Sequence, residues 1–233
     1  MDALGGLCHA ERSDALDRRQ GFLDGFVRAE QNGYRIRCLA TFAPPDRGFL
    51  AHPLGFIEMQ AEALALPHHV LLVTPPFESG YEAGLRRLRD EMGVDCVVTG
   101  DIAEVAGNPN WIRERSRRVG MDVYTPLWGR DRRTLLQQLL ERGFKARVSC
   151  VDTRWLHEDW VGRELDVATV AELQAIHAQT GLDPCGEEGE YHTLVIDGPS
   201  FTRAIDIRSH AIRAMDLLAY MEIHGLEWSG HAI

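Results

Sequence analysis

The sequence predicts an α/β protein, a doubly wound parallel sheet followed by a smaller C-terminal α+β domain. Three observations carry that expectation. Over the first two-thirds, short apolar runs alternate with amphipathic segments of helical length, the pattern of parallel strands joined by crossover helices. After Pro126 the texture changes, and the chain ends in segments with period-two alternation, as antiparallel strands require. The 233 residues, 45% hydrophobic and 26% charged, suffice for one large domain or two modest ones.

Each element has its local reason. "YRIRCLATF" (34–42) reads as a strand, and "GFIEMQAEALAL" (55–66) has helical periodicity that Pro67 stops. "HVLLVT" (69–74) is a strand of the buried type, and "YEAGLRRLRDEMG" (81–93) is a helix with a glycine stop. "DCVVTGDI" (95–102) is a strand and its exit loop, which is where ligands sit in open parallel sheets. "DRRTLLQQLLERGF" (131–144) is a helix and "KARVSCVD" (145–152) a strand. "VATVAELQAIHAQTG" (167–181) is a helix, and "HTLVID" and "RAIDIRS" follow as alternating strands. The domain boundary falls near Trp128, giving 1–127 and 128–233.

Composition narrows the partners. A formal charge of −10 opposes a general nucleic-acid grip, which needs clustered Lys and Arg. Lys145 is the only lysine, an arginine bias that fits a GC-rich coding sequence. Five widely spaced cysteines with no C-x-x-C read as reduced, cytosolic thiols. No apolar run approaches the ~18 residues of a membrane span and the N-terminus is not a signal peptide, so a cytoplasmic location is expected. A homo-oligomer is compatible with the sequence.

Several residues are candidates for chemistry, each with a plainer alternative. Gly100 and Asp101 end the strand of "VVTGDI"; Asp101 there can hold a ribose hydroxyl or a metal-bound water, or the pair is only a turn. In "NPNWIRER", Asn110 can cap a helix, and Trp111 either packs or meets a ligand. "DPCGEEGEYHTLVIDGPSF" (183–201) piles Glu187, Glu188 and Glu190 between Gly186 and Gly189 and ahead of His192 and Thr193. Neighbouring carboxylates want a cation, a shared proton or bulk water, so the string is a polar site or a solvated acidic loop. Zinc on Glu187, Glu190 and His192 has no standard spacing, and a hard cation such as Mg2+ beside phosphate suits carboxylates better. No metal ligand is therefore assigned. His68 and His69 are adjacent and diverge in an extended segment, so a turn before the strand explains them better. Lys145 opens a strand, where it meets an anion or is solvated. "LHEDWVGRELD" alone reads as a polar turn.

These residues, in this order, resemble the diphthine–ammonia ligase family of ATP-dependent amide-forming enzymes. The resemblance runs from about Tyr34 to Phe201. It is carried by "QAEALALP", "VVTGDI", the tryptophan of "NWIRER", "YTPLW", "RGFKA", "WVGREL" and above all "GEEGEYHTLVIDGP". It implies a Rossmann-like adenine-nucleotide-binding domain over 1–127 and a substrate domain over 128–233. It implies ATP cleaved to AMP and pyrophosphate with Mg2+, and a carboxylate activated as an acyl-adenylate for attack by ammonia. Gly100, Asp101, Ile102 and Trp111 would lie at the nucleotide. Glu187, Glu190 and Thr193 would line the acyl or ammonia site, with Lys145 as a catalytic cation. In a GC-rich bacterium the acid would be other than the translation-factor residue the family modifies.

One part departs from the family. Its phosphate grip is a Ser-Gly-Gly-Lys-Asp-Ser loop between the first strand and first helix, whose amides and lysine hold phosphates. Here that place reads "LDRRQGF" (16–22), and the segment before it lacks a β-branched run. A codon choice that writes Leu16–Leu23 as CTC GAC CGG CGG CAA GGA TTC CTN, read one base later, gives Ser-Thr-Gly-Gly-Lys-Asp-Ser. The loop is therefore either frame-shifted or degenerate. If it is lost, Arg18 and Arg19 remain as point charges, and a non-catalytic nucleotide- or small-acid-binding protein is the alternative. A metal-dependent hydrolase centred on Glu187, Glu190 and His192 is a third reading.

Overall fold

The computed structural model describes residues 20–45, 49–103 and 111–230. In chain order the elements are α1 (Gln20–Gln31), β1 (Leu39–Ala43), α2 (Leu54–Ala63), β2 (His68–Leu72), α3 (Phe77–Met92), β3 (Cys96–Val98), α4 (Trp111–Arg118), β4 (Asp122–Tyr124), α5 (Arg132–Glu141), β5 (Lys145–Asp152), a 3-10 turn (Glu158–Trp160), α6 (Val167–Thr180), β6 (Tyr191–Asp197), β7 (Ala204–Met215) and β8 (Leu218–Ser229). The fold is α/β: parallel strands with connecting helices, then an antiparallel sheet with helices.

Two compact units form, with boundaries at 48/49, 65/66 and 128/129. The segment 49–65, which a boundary at 127/128 leaves in the first domain, packs with the second unit. The reason lies in β6, an edge strand. Its outward carbonyls at Thr193 and Val195 would be orphaned in a buried setting. His52 and Gln60, on and just before α2, donate to them at 3.2 and 2.9 Å. Thr202 in turn donates to the carbonyl of Ala63 through both its backbone and its hydroxyl.

In the first unit β1 pairs with β2 and β3 with β4, both parallel. The core holds Phe42 stacked on Tyr81 at 4.3 Å, with Leu71, Leu85, Leu88 and Val97 around them. Each fully buried side chain of this size contributes about 1.5–3 kcal/mol. Gly84 lets α3 approach: a Cβ there would stand 2.7 Å from the Phe42 ring. Strand pairing begins only at Leu39, so 34–38 of the expected strand lie outside the ladder. The helix expected over 81–93 starts earlier, at Phe77, and stops at Gly93 in the left-handed region, as its glycine predicts. The helix expected to run to Leu66 ends at Ala63.

The second unit is a four-stranded sheet in the order β6-β5-β8-β7. β5 runs from Lys145 to Asp152, as the sequence reads. Asp131 caps α5 and Asp166 caps α6, each accepting from the backbone N–H three residues on. "WVGREL" is more than a polar turn. Trp160 is buried, Arg163 stacks on its ring at 4.1 Å, and Gly162, Arg163 and Leu165 exchange backbone hydrogen bonds with β5. No described helix is long and apolar enough to cross a membrane.

Candidate active site

The nucleotide candidates lie in the first unit. β3 carries the chain to Thr99, Gly100 and Asp101, and Gly25 of α1 lies against that exit. A Cβ on Gly25 would stand 3.5 Å from the Thr99 carbonyl and 3.6 Å from the Gly100 Cα. Thr99 donates its hydroxyl to Asp101 Oδ2 at 2.8 Å, which fixes the carboxylate at the strand end. Ile102 is buried just beyond. Trp111 sits edge-on to Tyr81 at 4.5 Å, half-buried on the core, so packing is the role it visibly performs. Asn110 lies outside the described residues. His68, one of the adjacent pair, lies within β2 and not before it, and it hydrogen-bonds Thr41 at 2.9 Å.

The acidic motif folds in the second unit into a loop closed on itself. Glu190, 2% exposed, turns its carboxylate back into the loop. Oε1 accepts from the Asp183 N–H at 2.9 Å and Oε2 from the Glu188 N–H at 3.0 Å. Asp183 makes an Asx turn with the Cys185 N–H and holds Arg132 of α5 at 2.5 Å. The Tyr191 hydroxyl donates to the Pro184 carbonyl at 2.6 Å. Gly186 has φ +70°, and a Cβ there would stand 2.6 Å from the Tyr191 carbonyl oxygen, so only glycine fits. Burial pushes the Glu190 carboxyl above the usual glutamate range, against the backbone N–H groups that favour its charge.

Glu187 is buried, and the Arg132 guanidinium feels its charge. Thr193 is buried in β6, with His52 on its carbonyl and the His52 and His192 rings edge to face at 5.4 Å. A carbonyl only accepts, so His52 carries its proton on Nε2. The structure thus places Glu187 and Glu190 in the loop that leads into β6 at Tyr191, and Thr193 within that strand, paired with Val148 of β5. Lys145 stands at the other end: it pairs with Asp197, while Val151 pairs with Tyr191. Six residues of strand separate the two ends, about 20 Å. Lys145 binds Asp197 at 3.2 Å and is largely exposed. Arg132 and His52 had no signal in the sequence; they reach the motif over 51 and 141 residues.

Comparison with known proteins matches residues 131–226 to the diphthamide synthase C-terminal domain. The chain is 30% identical over 200 residues to the diphthine–ammonia ligase of Danio rerio, spanning 75% of this chain and 77% of that protein. This chain belongs to the diphthine–ammonia ligase family. The ligase of Mus musculus is 28% identical over 225 residues, with 83% of each chain covered. Among solved structures, a predicted tRNA methyltransferase subunit from Methanocaldococcus jannaschii is similar at 17% identity and TM-score 0.41, covering 77% of this chain and 93% of that one.

A ligase of this family acts with ATP, and the donor set here fits it unevenly. Gly100 and Asp101 offer close backbone approach and an oriented carboxylate at a strand end. The phosphate side does not fit: the chain's one lysine lies in the second unit on Asp197, and "LDRRQGF" offers one glycine. Among the described residues no group of three or more His, Cys, Asp or Glu side chains is gathered to hold a metal ion.

Proposed function

We propose that this chain carries the scaffold of an ATP-dependent amide-forming ligase, which activates a carboxylate as an acyl-adenylate for attack by ammonia. We infer further that, with Leu16–Phe22 in place of the phosphate loop, the chain as written is impaired in turnover. One observation supports the reading above the others. The acidic motif is built as a closed, buried and hydrogen-bonded loop, although the phosphate-holding sequence is missing. Glu187 and Thr193 are the residues assigned to the acyl or ammonia site, and Gly100, Asp101 and Ile102 to the nucleotide. Glu190 and Arg132 hold the loop in place. Mg2+ would accompany the phosphates as substrate counter-ion.

The alternative is a binding protein for a nucleotide or small acid, favoured by the missing lysine. The two are separated by assaying AMP and pyrophosphate from ATP and ammonium, with diphthine and with a panel of other carboxylic acids. The proteins compared are the chain as written and a variant with Ser-Thr-Gly-Gly-Lys-Asp-Ser at 16–22. The ligase reading expects products from the variant alone. ATP binding with no product from either protein would establish the alternative.

A further inference from the structure

Eight large hydrophobic side chains are exposed among the described residues, and three of them, Ile212, Met215 and Leu217, fall within six consecutive positions at the tip of the β7–β8 hairpin. β7 is the last strand of its sheet, and among the described residues it shares a ladder with β8 alone. The chain entering it is tied to α2, where Thr202 and Arg203 bind Ala63 and Glu62. Its pairing is irregular between Ile207 and His210. From His210 to Met215 the pairing is regular, and every residue but Ala211 is exposed.

Edge strands in natural sheets are defended by charge, proline, bulges or a covering segment. The irregular stretch defends the first half of β7. Beyond it there is no proline, and the one Asp, Glu, Lys or Arg is Arg213, whose Nε already donates to Glu222 at 2.8 Å. The two faces of this half differ. Ile212 lies opposite Met221 and His210 opposite Ile223. A Cβ on Gly162 would stand 3.1 Å from the His210 ring and 3.8 Å from Met221, so this face is turned toward the body of the unit. Arg213 lies opposite Tyr220 and Ala211 opposite Glu222, on the outer face.

We propose that this edge is a homodimer seam: β7 of a second copy pairs with it antiparallel, about a two-fold axis through Ile212, and joins two four-stranded sheets into one. Charge and register choose the occupant. A two-fold axis perpendicular to the sheet sets one residue opposite its own copy. An axis through Arg213 opposes two guanidinium groups, and one through Ala211 carries the pairing to Ile207, across the irregular stretch. An axis through Ile212 pairs His210–Ala214 clear of both faults. The inner face then carries one apolar row: Met221, Ile212, the partner's Ile212 and the partner's Met221. On the outer face Arg213 meets the partner's Ala211, a side chain small enough for the guanidinium to reach past it to the partner's Glu222. The axis repeats that contact, so each copy supplies both of its charges.

Five paired residues a side make a small seam, and the expected dissociation constant is about 1–100 µM. Sedimentation of the full chain is therefore followed from about 1 to 500 µM, across that range. The chain should pass from monomer to dimer. Ile212→Asp should remain monomeric, while Val167→Asp, at an exposed site on α6, should leave the dimer intact. Arg213→Glu sets a carboxylate against the partner's Glu222 and should weaken association about tenfold or more; Arg213→Glu with Glu222→Arg should restore it. Ile212→Cys chains should cross-link on oxidation, because residues opposite each other in an antiparallel pair stand about 5 Å apart at Cα, within disulfide reach. Ala214→Cys chains, with copies about 14 Å apart, should not. Disulfides are mapped by peptide mass spectrometry, and protection of buried Cys150 and Cys185 reports that each variant is folded. A monomer throughout, which would leave the edge to a different protein, would overturn the proposal. So would a dimer that survives Ile212→Asp, a double exchange that fails to restore association, equal cross-linking through 212 and 214, or an assembly larger than a dimer. No nucleotide or acid enters the experiment, so its failure is distinct from failure of the ligase reading.

Discussion

Replacing Glu190 tests whether the acidic motif is held together by its own carboxylate. Glu190 accepts from two backbone N–H groups, and hydrogen bonds to a charged group contribute about 1.5–3 kcal/mol each. The Asp183 N–H is buried and has no substitute partner once the carboxylate is gone; that of Glu188 is partly exposed, and water replaces part of its loss. Glu190→Ala should therefore cost about 3–4 kcal/mol, and Glu190→Gln, which keeps one acceptor and turns an NH2 on the other amide, about 2. The sign of the pH dependence follows from burial. The folded carboxyl holds its proton more tightly than the unfolded one, so its contribution is full below the ordinary glutamate range and falls as pH rises through the raised value. The Glu190→Gln penalty should shrink across that window. Urea melts give the global figure, and alkylation of buried Cys185, whose N–H bonds Asp183, gives the local one. A Glu190→Ala protein within about 0.5 kcal/mol of the parent, with Cys185 still protected, would refute the reasoning.

Other substitutions probe the same frame. Gly186→Ala forces a left-handed residue and a Cβ into the Tyr191 carbonyl, and should cost about 3 kcal/mol in urea melts. Asp166→Ala removes the cap of α6 and should cost about 1 kcal/mol near neutrality. The Thr169 backbone N–H, then its hydroxyl, hold the Asp166 carboxyl below the usual range, so that contribution is present above the ordinary aspartate value and lost as pH falls through the folded one; melts at neutrality and at about pH 2 check it. Lys145→Ala breaks an exposed ion pair with Asp197 and should change stability by less than about 1 kcal/mol. It should leave kcat and KM of the loop-bearing variant unchanged, because it sits a strand length from Glu187.

Much of this architecture was legible in the sequence because its signals are local. Asp131, Asp166, Gly93 and Gly181 mark helix ends, and the apolar runs mark β2, β3 and β5. The two glycines of the acidic motif also announced themselves, and both have positive φ. What sequence could not show were the contacts between distant segments. Nothing near "DRRTLL" says that Arg132 will meet Asp183, and nothing in "FLAHPLGF" says that His52 will cover an edge carbonyl of β6. Nor does the string of glutamates say that the Glu190 carboxylate turns back into the loop, where two N–H groups require an acceptor. Trp111 was open between packing and ligand contact, and the ring of Tyr81 accounts for it.

The central claim is that a ligase scaffold is present and its phosphate grip is not. The most direct measurement is pyrophosphate release from ATP, with ammonium and a panel of carboxylic acids that includes diphthine, by the chain as written and by the variant carrying Ser-Thr-Gly-Gly-Lys-Asp-Ser at 16–22. Restoring the cradle should raise the rate by about 100-fold or more, the effect expected of preorganised phosphate donors. Equal rates from the two proteins would contradict the account.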